Sequence, residues 1–333
     1  KFGDEWLDNL KNELNGRTPD YLVVLHMEPD HSANIAKFAG VYKDAKIVSS
    51  AAAFRMMKAY FGDEFTNRRI VVKEGDKLNL GKHELTFVGA TMVHWPEVIV
   101  AYESSEKLLF SADAFGKFGA FDVKADWACE ARRYYFGIVG KYGVQSQNLL
   151  KKAAALDIEK ILPLHGPLLT ENLGYYLGLY NTWSSYGIES EGVTIAYTSV
   201  YGHTEKAVKL LKEEIEKAGV KVAVHDLARC DESEAVEDAF RYGKLVLATT
   251  TYNASIFPFM QNFINALTER NYKNRKIGLI ENGSWAPTAA KIMRAAFENS
   301  ENIEFCPTTV KIVGAVSEEN EEQIRSLAKE IIG

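Results

Sequence analysis

The sequence predicts an α/β protein of two domains, the second a doubly wound, five-stranded parallel sheet. Two observations carry this. From residue 192 onward, short apolar runs alternate with amphipathic helical patterns, the arrangement that builds a parallel sheet covered on both faces. Before residue 188, strands and helices are less regular, and metal-ligand residue types gather at the turns. The stretch from Trp183 to Gly192 is small and polar, so the boundary is expected there, with domains at 1–188 and 192–333.

A chain of 333 residues can bury two cores. The net charge of −6 argues against a nucleic-acid or membrane-surface partner. No apolar run approaches the roughly 18 residues of a membrane span. The three cysteines, Cys129, Cys230 and Cys306, are scattered and form no CxxC, so disulfide, iron–sulfur and rubredoxin-type sites all lack ligands. A reducing, cytoplasmic setting is expected.

Phe2, Trp6, Leu7, Leu10 and Leu14 recur at helical spacing, so the chain starts inside an amphipathic helix. It starts at Lys1 rather than Met, and the true N-terminus is expected upstream. Strands are then expected at Tyr21–Leu25, Arg69–Val72, Glu84–Val88, Val98–Tyr102 and Lys107–Phe110. Helices are expected at His31–Ala39, Ala51–Phe61, Ala131–Val139, Val144–Leu156 and Glu171–Ser184.

After the first strand, "LHMEPDHSAN" places His26, Glu28, Asp30 and His31 on one turn. His94 precedes a Trp-Pro pair, Asp113 ends an apolar strand, and His165 ends another apolar run before Gly-Pro. Seven ligands exceed what one tetrahedral ion needs and suit two ions, with room for a bridging carboxylate. The donor set is nitrogen and oxygen without thiolate. It favours iron or manganese, although affinity alone does not exclude zinc. His83 and His225 are read as surface residues.

This pattern resembles the metallo-β-lactamase-fold domain of flavodiiron proteins (A-type flavoproteins). Hydrolases of that fold typically carry His-x-His-x-Asp-His and bind zinc; glutamate in the second position is the diiron family's mark. The resemblance implies an αββα sandwich with His26, Glu28 and His94 on one iron, Asp30, His31 and His165 on the other, and Asp113 bridging. His31 is the least certain of these, being not always coordinated in the family. The segment Glu130–Gly143 resembles the family's stretch beside the metal pocket, where Tyr134 or Tyr135 would shape the distal side; core packing is the competing reading. The resemblance also implies several β-strands ahead of the first helix, so a truncated sequence is expected.

In the second half, strands are expected at Val193–Tyr197, Val222–Val224, Leu245–Ala248, Ile277–Ile280 and Thr309–Ile312. Helices fall between them at Glu205–Ala218, Glu232–Arg241, Pro258–Glu269, Ala286–Glu298 and Glu318–Ile332. "TSVYGHTEKA" opens the first helix with hydroxyls, a glycine and free backbone N–H groups, a setting for an anion. It carries neither GxxxxGK[ST] nor GxGxxG. "TTTYNASIFP" and "ENGSWAP" follow the third and fourth strands. The three loops together are similar to flavodoxin. That resemblance implies FMN, its phosphate held by Ser199, Val200, Tyr201, Gly202, His203 and Thr204. Thr250, Thr251, Tyr252, Asn253 and Ala254 would lie along the ring, with Ser284 and Trp285 on its other flank.

Together the resemblances imply a flavodiiron oxidoreductase that reduces O2 to water, NO to N2O, or both. They imply a head-to-tail homodimer or dimer of dimers, with Trp285 near the junction, fed by a rubredoxin-like donor. Two alternatives stay open: a zinc hydrolase with an accessory flavodoxin domain, and a flavin electron carrier whose metal site is vestigial.

Overall fold

The computed structural model describes residues 2–120 and 126–333. The chain forms two compact units, Lys1–Lys124 with Val144–Tyr180, and Ala125–Gly143 with Asn181–Gly333. Among the described residues no helix is long and apolar enough to cross a membrane.

In the first unit, helix Gly3–Leu14 ends on Asn15 in the left-handed region, at φ 46°, a common way to satisfy the last carbonyls. Strands β1 (Tyr21–Val23), β2 (Lys46–Ser49) and β3 (Arg69–Val71) form a parallel sheet in that order. A second sheet runs β4 (Lys77–Asn79), β5 (Glu84–Gly89), β6 (Ile99–Glu103), β7 (Leu108–Phe110) and β8 (Lys160–Leu162). It is antiparallel except for the β7–β8 pair. The sheets face each other across an apolar layer in which Val48 and Val72 meet Phe87, Ile99 and Ala101. Helices Ile35–Val41 and Ala51–Phe61 cover the first sheet, burying Ile35, Ala39, Phe54 and Met57 against Val24 and Ile47. This helix–sheet–sheet layering is the expected sandwich. Strands β2, β4 and β8 were not expected.

The second unit contains β9 (Ser190–Tyr197), β10 (Val222–Asp226), β11 (Tyr242–Tyr252), β12 (Ser255–Ile256), β13 (Arg275–Asn282) and β14 (Ile303–Ile312). The order β10-β9-β11-β13-β14 is wholly parallel, and β12 folds back on β11 as a short hairpin. Val193, Ile195, Val246, Ala248, Ile280 and Val310 are buried in its core. Because strand order reverses between β9 and β11, a crevice opens at their carboxyl ends. Helices His203–Lys217, Glu232–Arg241, Pro258–Thr268, Ala289–Ala295 and Glu318–Ile332 stand where the apolar spacing placed them. His225, expected at the surface, is largely buried and faces Asp238 Oδ2 at 3.0 Å.

Residues 125–143 and 181–188 group with the second unit, on the other side of the division from the boundary drawn on composition. A buried ionic latch is among the contacts that hold them there. On helix Trp127–Tyr134, the Arg132 side chain is 1% exposed. Its Nε and Nη2 donate to both oxygens of Glu189 at 2.6 and 2.7 Å, and its Nη1 pairs with Glu237. Phe136 stacks on Phe240 at 3.9 Å between centroids. Arg132→Leu leaves two acidic groups without their cation, one of them deeply buried. It is expected to cost about 3–5 kcal/mol, read as a lower thermal midpoint. An unchanged midpoint would show that the latch contributes nothing.

Candidate metal and flavin sites

The turn after β1 carries the first ligands. His26 precedes Glu28, which stands at the N-cap of the short helix Pro29–Ser32, and Asp30 and His31 lie within that helix. Backbone N–H groups of His31 and Ser32 bond to the Glu28 carbonyl at 3.0 and 2.9 Å, and Ser32 Oγ donates to the Met27 carbonyl at 2.9 Å. The turn is thereby fixed from within. His94 lies in the loop between β5 and β6, Asp113 follows β7, and His165 follows β8. Ala112, at φ 52°, swings the chain into Asp113. A left-handed alanine is strained, a cost usually met where function fixes a side chain.

All seven expected ligands converge, in two groups. His26, Glu28, His94 and Asp113 offer atoms within 4.8 Å of one another, as do Asp30, His31 and His165. In the first group, His94 Nε2 is 3.0 Å from Glu28 Oε2 and 3.1 Å from Asp113 Oδ2. His26 Nε2 is 3.4 and 3.3 Å from the same two oxygens. In the second, His165 Nε2 is 3.1 Å from both Asp30 Oδ2 and His31 Nε2. Asp113 divides itself. Its Oδ2 faces the first group, while its Oδ1 is 3.1 Å from His31 Nε2 and 3.7 Å from His165 Nε2.

These spacings fit metal ions. Nitrogen and oxygen ligands at about 2.0–2.2 Å from an ion stand roughly 3.0–3.5 Å apart as neighbours. Two observations point the same way. His26 Nε2 and Asp113 Oδ1 are buried without a hydrogen-bond partner, a costly state that an ion at this place would relieve. His31, the least certain ligand in the sequence, sits in the second group with Asp30 and His165. His26 and Asp113 are buried at 1% and 0% exposure, whereas Asp30 is exposed and His31 and His165 are half-buried. The second group is therefore the more open to solvent.

Without an ion, the cluster's own charges are strongly coupled. Burial works against a charge on His26, but the carboxylates of Asp113 and Glu97 that face its ring raise its pKa to about 9. Burial likewise pushes the Asp113 carboxyl up, and the histidines around it hold it far below the usual carboxylate range. A bound cation would take the place of that proton. Glu97 was not anticipated. Its carboxylate lies 2.7 Å from His26 Nδ1 and accepts the Met27 N–H at 2.8 Å. The available signal was a glutamate three residues past His94, directly before a buried apolar strand.

The second unit holds a cleft of about 260 Å³ at the strand-order reversal. Ser199, Val200, Tyr201, His203, Thr204, Thr250, Thr251, Tyr252 and Ser284 line it as expected, joined by Phe257, Asn282, Gly283 and Gly314. Gly202, at φ 87°, turns the chain into helix His203–Lys217. Ser199 Oγ accepts from the N–H groups of Gly202 and Glu205 at 3.1 and 3.2 Å. Thr204 Oγ1 is buried without a hydrogen-bond partner in the cleft wall, so an anion there would satisfy it. Asn253 and Ala254, both at positive φ, form the β11–β12 turn outside the lining. Trp285 is 91% exposed and Tyr201 89% exposed. Tyr134 and Tyr135 are buried within the second unit, Tyr135 beside Phe136 and Trp183.

Fold and sites define a two-domain protein with a dinuclear metal centre in one domain and a flavin cleft in the other. Residues 4–166 match the ODP family of β-lactamases, and residues 195–322 match flavodoxin. The chain thus carries a β-lactamase-type ODP domain followed by a flavodoxin domain, and its two sites suit a pair of irons and FMN. It is 32% identical to the putative diflavin flavoprotein A 2 of Nostoc sp. over 74% of this chain and 44% of that protein. It is 26% identical to the anaerobic nitric oxide reductase flavorubredoxin of Escherichia coli, over 90% of this chain and 66% of the relative. The chain spans about half the length of the diflavin relatives it matches. In fold it is similar to rubredoxin oxygen:oxidoreductase of Desulfovibrio gigas, with TM-score 0.91, 24% identity, and 99% of this chain and 84% of that one covered.

Proposed function

We propose that the protein is an oxidoreductase that reduces O2, NO or both, in a reducing cytoplasmic setting. The division of the Asp113 carboxylate between two ligand groups carries this reading. Bound together, a pair of irons and FMN would supply electrons singly and in pairs, the chemistry that reduction of a diatomic gas requires. The chain's own work is to hold, orient and exclude. His26, Glu28 and His94 would hold one iron and Asp30, His31 and His165 the other. Asp113 would keep the ions near enough to act on one substrate. Burial of His26, His94 and Asp113 would limit water at the first position, and the more open second group would leave an approach for a small gas.

In the flavodoxin domain, Ser199, Thr204 and the first turn of helix His203–Lys217 would hold the FMN phosphate. Thr250 to Ala254 and Ser284 would lie along the ring. Tyr201 and Trp285 are exposed beside this cleft and suit a docking partner. We assign the electron donor to a rubredoxin-like carrier, a reading supported by the flavorubredoxin relative. A head-to-tail homodimer, or a dimer of such dimers, would bring the flavin of one copy to the metal centre of the next, with Trp285 near that junction. Core packing accounts for Tyr134 and Tyr135; a role at the gas site is the competing assignment.

Protein produced with iron and zinc both available is expected to carry two irons per chain, one for each ligand group. Reduced anaerobically and mixed with O2 or NO, it should consume at least one gas, without accumulating peroxide in the first case. Two zinc ions and no iron would sink the reading in favour of a hydrolase. Slow peroxide release from flavin alone, with no turnover of NO, would leave an electron carrier.

A further inference from the structure

We propose that Glu97 is a positioning residue that fixes the tautomer and orientation of His26 at the first metal position. The inference rests on the two-metal reading above. Its starting point is a buried anion: the Glu97 side chain is 0% exposed. A carboxylate is buried at such cost only when paired and hydrogen-bonded. Glu97 Oε1 accepts the Met27 N–H at 2.8 Å and stands 2.7 Å from His26 Nδ1. A carboxylate can only accept, so Nδ1 must carry the ring proton. When a cation displaces the second ring proton, the lone pair that meets it is on Nε2, the atom 3.3 Å from Asp113 Oδ2 and 3.4 Å from Glu28 Oε2.

The glutamate is itself held. Its backbone carbonyl accepts from Ser50 Oγ at 2.8 Å, and Ser50 also caps helix Ala51–Phe61. One loop therefore supplies a ligand of the first group, His94, and three residues later the group that aims another ligand of the same group, His26. Carboxylate–histidine–metal relays of this kind raise ligand basicity and fix the ring, and losing the outer partner weakens metal affinity by about 10–100-fold.

The test compares Glu97→Gln with Glu97→Leu in the full chain, loaded anaerobically with ferrous ion and challenged with a chelator. The Gln oxygen can still accept both N–H groups, whereas Leu accepts neither. Glu97→Leu should hold iron about 10–100-fold more weakly, and Glu97→Gln should lie closer to the parent, both with full FMN content. Parental affinity in the Leu variant, or equal weakening in both, would overturn the proposal. Should the Leu variant fail to fold, nitrogen NMR of the zinc-loaded parent and Gln variant decides. A His26 ring protonated at Nδ1 in both supports the assignment, and one protonated at Nε2 overturns it. Iron retention is read without gas turnover. A protein that holds iron through Glu97 yet reduces neither gas would sink the proposed function and leave this inference standing.

Discussion

Asp113→Asn is expected to strip metal from both ligand groups and to abolish gas reduction while leaving FMN in place. Asp113 is fully buried, and its two oxygens face different groups, one toward His26 and His94, the other toward His31 and His165. Asparagine keeps one oxygen and turns the other into an N–H donor, which would point at ligand nitrogens or at a cation. It also removes a negative charge at the place where two cations meet, in a site where Coulomb terms are poorly screened. The loss should exceed the roughly 10–100-fold in affinity that an outer-shell partner contributes. The measurement is metal per chain after gel filtration, with gas uptake beside it. A variant that keeps both ions and turns over within about tenfold of the parent would refute the bridging role. Flavin retention is the internal control, because the cleft is built entirely within the second unit.

The second domain was legible because its strands are buried on both faces and read as continuous apolar runs between amphipathic helices. Its limits were harder. Strand β11 runs on through Thr249 and Thr250, which pair with Glu281 and Asn282 of β13, although the hydroxyl-rich sequence looks like a loop. Helix 131–139 was expected as one piece; the chain winds as an α-helix to Tyr134 and as a wider π turn over Tyr135–Val139. Helix His31–Ala39 divides in two, at Pro29–Ser32 and Ile35–Val41, because the metal turn occupies its start.

The seven ligand types were visible because each falls at a strand end or turn. Glu97 was not, since its partner His26 lies 71 positions away and only the tertiary fold brings them together. His225 was misread for a related reason: the acid that pairs with it is on the following helix, Glu232–Arg241, and one-dimensional spacing does not show that contact. The latch of Arg132 on Glu189 and Glu237 escaped in the same way, and with it the attachment of residues 125–143 to the second unit.

Glu28→His is expected to keep the first metal position but turn it from iron toward zinc. Glu28 Oε2 stands 3.0 Å from His94 Nε2 and 3.4 Å from His26 Nε2, and its side chain is 34% exposed, so the site has room for an imidazole. The change replaces a hard anionic oxygen with a neutral nitrogen. Three carboxylates among the ligands become two, and the oxidised state of an iron pair, which carries the most positive charge, loses the most. Gas reduction should fall by about 10²–10³-fold, the scale at which one electrostatic group acts in a water-poor site. Metal analysis of protein grown with both metals should show zinc rising at the expense of iron, with FMN unchanged. Glu28→Ala separates charge from geometry: it removes the oxygen without supplying a nitrogen, so gas reduction should fall without a matching gain of zinc. Full iron content and parental turnover in the histidine variant would mean that Glu28 does not discriminate. The choice of metal would then have to come from Asp30 and Asp113.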